Sequence, residues 1–436
     1  MLEATTYARK RAKKVKPKHT RCCMASRSVS IPTVRGQLRG ADPQSYTPRD
    51  VPIGPLHVDC SCPSIEKEKM CSVSLLRSLS GECTEGVLAA LMEKLEPFAR
   101  KCYADGVGDN MTPEQFRRML LSDGCYLLLL YVEYVSGDRD TLGDHERPTA
   151  VNRNTLVRDT LFLLENQIPF FVLQGLHELV SGGTSSVVDF IAEPVQDLLQ
   201  KMLFISKKPR PAPPSCSHLL HLVHTYFRPT VLPAENNKVR CRRRRRPTGR
   251  WRRATEYRRY ANVRFKPWEF EDHVESSVLD VQLQRGTLWI PRLRVESNTW
   301  TILRNLMAYE EQKKRRPVTA YCLFMSQVAC TVEDVEMLRQ AGIVDHYMSN
   351  DEQVAQGFAD LWRGVVMDVD DLDRNYLKPM WHELEDRCHS RAQRLMGWFH
   401  HGQNVVIAAA FLVAFILVVC QVMQTFYAAA ARGRQP

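Results

Sequence analysis

No Cys-x-x-Cys occurs among the 14 cysteines of this 436-residue chain, which removes the ordinary zinc-ribbon and thioredoxin-type readings. Only Cys22–Cys23 and Cys60-x-Cys62 stand close together, and no apolar stretch follows the charged N-terminus as a secretory signal would. The thiols are therefore read as reduced, mostly core filler. Gly-x-x-x-x-Gly-Lys, Gly-x-Gly-x-x-Gly, His-Glu-x-x-His and Gly-x-Ser-x-Gly are missing too, so the common signatures of phosphate, dinucleotide, zinc and acyl-transfer chemistry give no route to an activity. One stretch lacks charge altogether: the 28 residues from Asn404 to Ala431.

What the chain has in excess is positive charge, in two blocks. Residues 1–27 carry a net +8 and residues 238–259 a net +11, which leaves the rest at −8 within a total of +11. A mildly acidic body with two basic inserts differs from the evenly basic face of a dedicated nucleic-acid-binding domain. The length corresponds to two or three domain-sized units or one large one, ample for a core.

The uncharged C-terminal stretch contains an unbroken apolar run, Val405–Cys420, continued less strictly to Tyr427. The 23 residues Val405–Tyr427 exceed the roughly 20 helical residues that cross a hydrocarbon slab. Helix is the expected form because lipid offers peptide groups no water. Trp398 and Phe399 on one side, and Phe426 and Tyr427 on the other, suit the two interfaces. The expectation is a single-pass, C-terminally anchored protein with a cytosolic body, and the plasma membrane is the expected destination.

Six prolines between residues 28 and 65 predict an extended leading segment. Helical spacing follows over Gly86–Tyr103, with Val87, Leu91, Leu95 and Phe98 as the core stripe. Thr112-Pro113-Glu114 reads as a helix start and Asp123-Gly124 as a break. Asn152 or Asn154 would cap a helix carrying Leu156 to Leu164, which Pro169 ends or kinks before Phe170–Leu179. Ser206–Ser217 is proline-rich, and His218–Phe227 is helical again. Val278–Val295 alternates like a strand pair about Arg285-Gly286, with Pro291 confining its second strand to an edge. Asn298–Glu311 and Val332–Ala341 resume helical spacing, the latter with Thr331 as cap and Gly342 as stop. The fold class expected is a mainly α-helical globular body with a small β-hairpin element, plus one C-terminal transmembrane helix. Its divisions are a basic disordered tail (1–40), a helical domain (41–400) holding a disordered Pro-rich and Arg-rich linker at about 206–253, the span (404–427) and a short tail (428–436).

A set of ordered motifs resembles the plant family called "domain of unknown function 247". They include Ser45-Tyr-Thr-Pro-Arg-Asp-Val-Pro-Ile-Gly-Pro-Leu-His57, Ile65-Glu-Lys-Glu-Lys69, Met119-Leu-Leu-Ser-Asp-Gly-Cys125, Asp159-Thr-Leu-Phe-Leu-Leu-Glu-Asn-Gln-Ile-Pro-Phe-Phe-Val-Leu173 and Arg304-Asn-Leu-Met-Ala-Tyr-Glu-Glu-Gln312. His218-Leu-Leu-His221, Gly286–Pro291 and Gln424-Thr-Phe-Tyr427 continue the series. Pro52, Leu56 and Val58 stand where the family usually has Ser, Tyr and a second His. The resemblance implies a plant-specific, largely helical protein anchored by a C-terminal helix, without established catalytic activity; some grass members of the family are associated with pollen self-incompatibility.

Candidate chemistry is sparse. Glu165, Asn166 and Gln167 form a polar triplet between apolar stretches, which either satisfies peptide groups around a proline-interrupted turn or lines a polar binding pocket. His218, His221 and His224 recur at i, i+3 and i+6, where the third ring is badly rotated for a shared metal, so packing is the expected role. His57, Cys60 and Cys62 lack a second ligand pair, and Asp368 to Asp373 lacks the glycine and glutamate of a calcium loop. The arginine block Arg242, Arg243, Arg244, Arg245 and Arg246, with Arg250, Arg252 and Arg253, is expected to contact an anionic surface, lipid before protein or nucleic acid. No cofactor or metal is called for. The sequence thus points to a membrane-anchored interaction or recognition protein with an unknown protein partner; the alternatives are an enzyme using Glu165–Gln167 and a nucleic-acid binder using Arg242–Arg246.

Overall fold

The computed structural model describes residues 30–79, 84–136, 157–183, 186–231, 250–368, 371, 374–390 and 402–432. The leading segment is extended apart from a short helix α1 (Gly36–Ala41) and single turns at Pro43–Tyr46 and Val58–Cys60. Then come α2 (Pro63–Leu79), α3 (Glu85–Arg100) and α4 (Pro113–Ser136). Helix α4 packs against α2, α3, α5 (Phe170–Ser181) and α6 (Val187–Lys201), and so forms the axis of this half. Proline opens both α2 and α4, where its missing N–H has no helical partner to lose.

Three short-range expectations shift here. The Asp123-Gly124 break is absent: α4 runs through it. Gly124 is small because a Cβ would sit 2.5 Å from Leu176 Cδ1 of α5, so the glycine sets how closely two helices approach. The stripe of α3 is Leu88, Met92, Leu95 and Ala99, while Val87 and Phe98 are exposed. One residue of phase turns a helical face by about 100°, and packing against α4 and α5 selects the face; Thr84, accepting from Val87 N–H, does not. The expected helix before Pro169 is a single wide turn, Arg158–Phe162, followed by a tight turn at residues 164–166 and then extended chain; its proposed caps Asn152 and Asn154 lie outside the described residues.

The second half contains α7 (Leu219–Tyr226), α8 (Ala254–Ala261), β1 (Arg264–Trp268), β2 (Gln282–Gln284), β3 (Thr287–Pro291) and β4 (Leu293–Val295). It continues with α9 (Thr299–Glu310), α10 (Pro317–Val328), α11 (Val332–Gln340), β5 (Val344–His346), α12 (Asp351–Asp360) and α13 (Lys378–His389). Thr331 caps α11 by accepting from Asp334 N–H, and Gly342 follows it with φ +77°. The hairpin β2–β3 is antiparallel, and both turn residues, Arg285 (φ 49°) and Gly286 (φ 81°), take positive φ as a type I′ turn requires. Pro291 does not confine β3 to an edge, because the order is β1-β3-β2 with β1 and β3 parallel. The proline is tolerated as the last residue of β3, beyond the reach of β2, which pairs only with residues 287–289.

Two regions expected to be disordered are packed where they are described. Ile31, Val34 and Leu38 of the supposed N-terminal tail are buried. In the supposed linker, Gln196 of α6 clasps the backbone of Arg210 through both amide heads (2.7 and 3.0 Å), and Arg210 reaches the carbonyls of Tyr226 and Ser276. Proline content read as a linker because it excludes helix, but extended chain can still be buried when side chains satisfy its peptides. Residues 232–249, with Arg242–Arg246, lie outside the described residues. Finally α14 (Gly402–Arg432) is a continuous helix.

Trp300, in the first turn of α9, lies on α12: a Cβ on Gly357 would be 2.3 Å from its indole, which packs edge-on against Phe358 with centroids 5.1 Å apart. Gly357→Ala is therefore expected to destabilise by about 1–3 kcal/mol, since the rigid ring must move, despite the gain in helix propensity. Gly86→Ala in α3, where the added methyl meets open space, is expected to be neutral or stabilising. Urea unfolding of the detergent-solubilised chain compares the two.

Candidate functional site: a buried polar clasp

The wide turn Arg158–Phe162 and the turn and extended chain of residues 163–169 bring a run of polar heads into the interior: Arg158, Asp159, Thr160, Glu165, Asn166 and Gln167 are all at most 1% exposed. All but Thr160 face backbone from elsewhere in the chain. One oxygen of Asp159 accepts three successive N–H groups, from Arg49 (2.9 Å), Asp50 (2.8 Å) and Val51 (3.1 Å), while the other pairs with Arg158 at 2.6 Å. Arg158 donates onward to the carbonyls of Gln44 and Thr47. Asn166 accepts from Ile53 N–H (2.6 Å) and donates to the carbonyls of Val51 (2.8 Å) and Asp159 (2.9 Å). Glu165 accepts from Val34 N–H (2.7 Å) and is ion-paired with Arg39 of α1.

Gln167 faces the other way. Its amide donates to the carbonyls of Leu163 (2.9 Å) and Thr160 (3.2 Å), and its oxygen accepts the N–H of Leu220 at the start of α7. Its own carbonyl takes the Tyr103 hydroxyl at 3.0 Å and lies 2.5 Å from where a Cβ on Gly54 would be. Gly54, at φ +74°, is thus required twice, by conformation and by space. Asn305 of α9 completes the closure, accepting from Leu164 N–H (2.9 Å) and donating to Ser45 O (2.7 Å).

The leading segment is also held from the first half. Asp123 accepts the Gly54 N–H at 2.8 Å and pairs with Lys69 at 2.8 Å, and Lys69 donates to Pro52 O at 2.7 Å. Burial raises the Asp123 carboxyl, with the Lys69 ammonium opposing. Burial alone would lower Lys69, but the carboxylates of Asp123 and Glu66 overcome it and hold the ammonium above its usual range. His57 sits 4.0 Å from Glu165, and burial keeps it below its ordinary pKa against the pull of that carboxylate. Glu165, Asn166 and Gln167 thus spend their hydrogen-bonding capacity on the chain's own backbone and Arg39. Missed in the sequence were Asp159, Asn305, Asp123 and Lys69, each visible inside a motif but without any sign that the motifs meet.

His218, which caps α7, and His221 and His224 within it surround Tyr309, with ring centroids 5.3, 5.7 and 5.0 Å away. They do not converge on a common point. His218 caps α7 by accepting from His221 N–H, His221 Nδ1 meets Ser217, and His224 bonds Glu310 at 2.9 Å. Among the described residues, no group of three or more ligand-type side chains is placed to hold a metal ion. Cys60 and Cys62 are exposed, and most of the Asp368–Asp373 run lies outside the described residues. Of the basic block, Arg250 is exposed, while Arg252 pairs with Glu385 at 3.0 Å and Arg253 with Glu256 at 3.7 Å. Between them Trp251 is buried, stacked on Trp381 and edge-on to Phe324. A tryptophan inside a basic run reads as exposed by its neighbours, yet its large apolar surface decides for burial.

Asn166→Ala would strand the Ile53 N–H and the Val51 carbonyl in the interior, an expected loss of about 2–4 kcal/mol. Limited proteolysis should then cut within residues 31–54 earlier than in the parent chain. Burial lowers His221 to about 4, with the charges of Lys313 and His224 adding to the effect. A native pKa below the unfolded value means that stability is complete above about pH 6.5 and lost as pH falls toward 4. His221→Asn should remove about 1–2 kcal/mol of the stability difference between pH 7 and pH 5, read from unfolding curves at both values.

The region shared with known sequences takes in both the leading segment and the elements that clasp it. A family profile described as plant protein of unknown function, DUF247, matches residues 31–420. UPF0481 protein At3g47200 of Arabidopsis thaliana is 25% identical over 383 residues, covering 83% of this chain and 77% of the relative. A second UPF0481 protein of that plant, At3g02645, is 22% identical over 494 residues, covering 92% and 90%. No solved structure matches. The residue-by-residue motifs and the profile coincide, and the chain belongs to the plant DUF247 family.

Proposed function

We propose that the protein is a single-pass membrane protein whose helical body serves as a recognition module for another protein, in signalling or in self-recognition of the kind the family resemblance implies. The observation that carries the anchor is α14. Its stretch Ala409–Phe426 is long and apolar enough to cross a bilayer, and none of that window is covered by the rest of the chain. Phe411 and Phe426 are 70% and 76% exposed. A row of such side chains is stable in hydrocarbon and unstable in water.

The body supports a binding role more readily than a catalytic one. Its most specific motif, Leu164–Pro169, is occupied in holding the leading segment, and a reactive site would need an acid or base free to reach a substrate. In this reading the span is C-terminal, the body faces the cytosol and the plasma membrane is the destination.

Flotation tests the anchor. The full chain in plant-cell membranes should stay with vesicles through alkaline carbonate and leave them only in detergent. Leu412→Arg with Val418→Arg adds about 2.5–3.5 kcal/mol per arginine at the bilayer centre and should move the protein out of the floating fraction. Recovery of the parent chain in the aqueous fraction overturns the reading. Protease added to intact cytosol-facing vesicles should digest the body; full protection would reverse the orientation.

A further inference from the structure

The chain leaves the body at the end of α13, Ser390, and α14 begins at Gly402. The eleven residues between them span at most about 40 Å even when fully extended, so the end of α13 stays close to wherever α14 is embedded. Helix α8 lies along α13, and Asn262, at φ 48°, turns it directly into β1. Arg264, the first residue of β1, donates its N–H to Gly286 O at 3.0 Å. Gly286 in turn sits under the guanidinium of Arg387 on α13, where a Cβ would be 2.3 Å from Nη2. Four elements therefore meet at one corner, and each brings arginine to it.

Arg258, Arg259, Arg264 and Arg285 are all exposed there. Among the described residues no ion pair joins any of these four to an acid. The nearby carboxylates of Glu256 and Glu385 are taken by Arg253 and Arg252; Glu383 and Asp386 of α13 are the exposed acids of the corner. Tyr260, 38% exposed, lies beside Arg259, whose guanidinium is 5.6 Å from the ring centre. Clustered arginine with an exposed tyrosine is the composition suited to a headgroup layer, where cations meet phosphates and an amphipathic ring spans the polar boundary.

We propose that this corner docks on anionic lipid headgroups of the bilayer that holds α14, laying the body against the membrane. The proposal rests on the anchor reading above, and adds residues 258–264 and 285 to the contact expected at Arg242–Arg246, Arg250, Arg252 and Arg253, of which Arg252 and Arg253 are engaged in internal pairs.

Hydrogen exchange of the full chain in nanodiscs tests it. In discs containing phosphatidylserine, peptides covering residues 257–266 and 283–288 should exchange at least about threefold more slowly than in phosphatidylcholine discs. Arg258→Gln/Arg259→Gln/Arg264→Gln, all surface changes, should abolish that difference, whereas Lys67→Gln/Lys94→Gln on α2 and α3 should leave it intact. High salt should weaken it. Equal exchange in both lipids, with the protein still disc-bound, overturns the docking proposal while sparing the anchor; failure to enter discs at all overturns the anchor instead. Protection by added RNA in neutral discs, with none from phosphatidylserine, would assign the corner to nucleic acid and overturn the lipid assignment.

Discussion

A carboxylate oxygen that accepts three consecutive backbone N–H groups is the point on which this fold turns. Asp159, itself fully buried, does this for residues 49–51, of which Val51 is buried and Arg49 and Asp50 lie at the surface. The leading segment is too rich in proline to form ladders or long helices of its own, so its peptide groups must be satisfied by something else. Asp159, Asn166, Glu165, Asp123 and Asn305 supply that satisfaction from three different parts of the chain. A network of this kind stabilises only when complete, because each missing partner leaves a buried polar group unpaired. That condition explains why several side chains of unlike type are needed together.

The clasp also joins the two halves. The wide turn and its extended continuation touch α7 and α9 on one side and carry the leading segment toward α2 and α4 on the other. Arg158 and Asp159 are both fully buried. Such a pair contributes little net stability beside an apolar substitute, but removal of one member is severe, so it specifies one arrangement more than it strengthens it. A body made rigid in this way presents a fixed surface, which suits binding a partner. In the proposed membrane setting the arginine corner by α13 gives that surface a definite orientation to the bilayer.

Elements governed by neighbours along the chain are legible in the sequence alone. Thr331 and Gly342 bound α11, Arg285-Gly286 turns the hairpin, and the uncharged run from Asn404 forms one long helix. In each case the deciding force is local: a cap, a positive φ, or apolar composition over many turns. The stripe of α3 differs by one residue from its sequence pattern, because several apolar side chains compete for the core and only the packing partner selects among them. Gly124 reads as a break, since glycine's local meaning is flexibility; Leu176 lies some fifty positions away in sequence and gives it the opposite role, tight helix contact.

The same division holds at the candidate site. Composition and spacing are enough to mark Glu165, Asn166 and Gln167 as a motif, to set the helical class and to single out the apolar C-terminal helix. They do not say that Val34, Ile53 and Leu220 are the groups those side chains meet, nor that Trp251 leaves its basic neighbours for the interior. Hydrogen bonds between residues far apart in sequence depend on where the chain returns in space, and that is decided by the joint packing of all the helices, which no window of sequence contains.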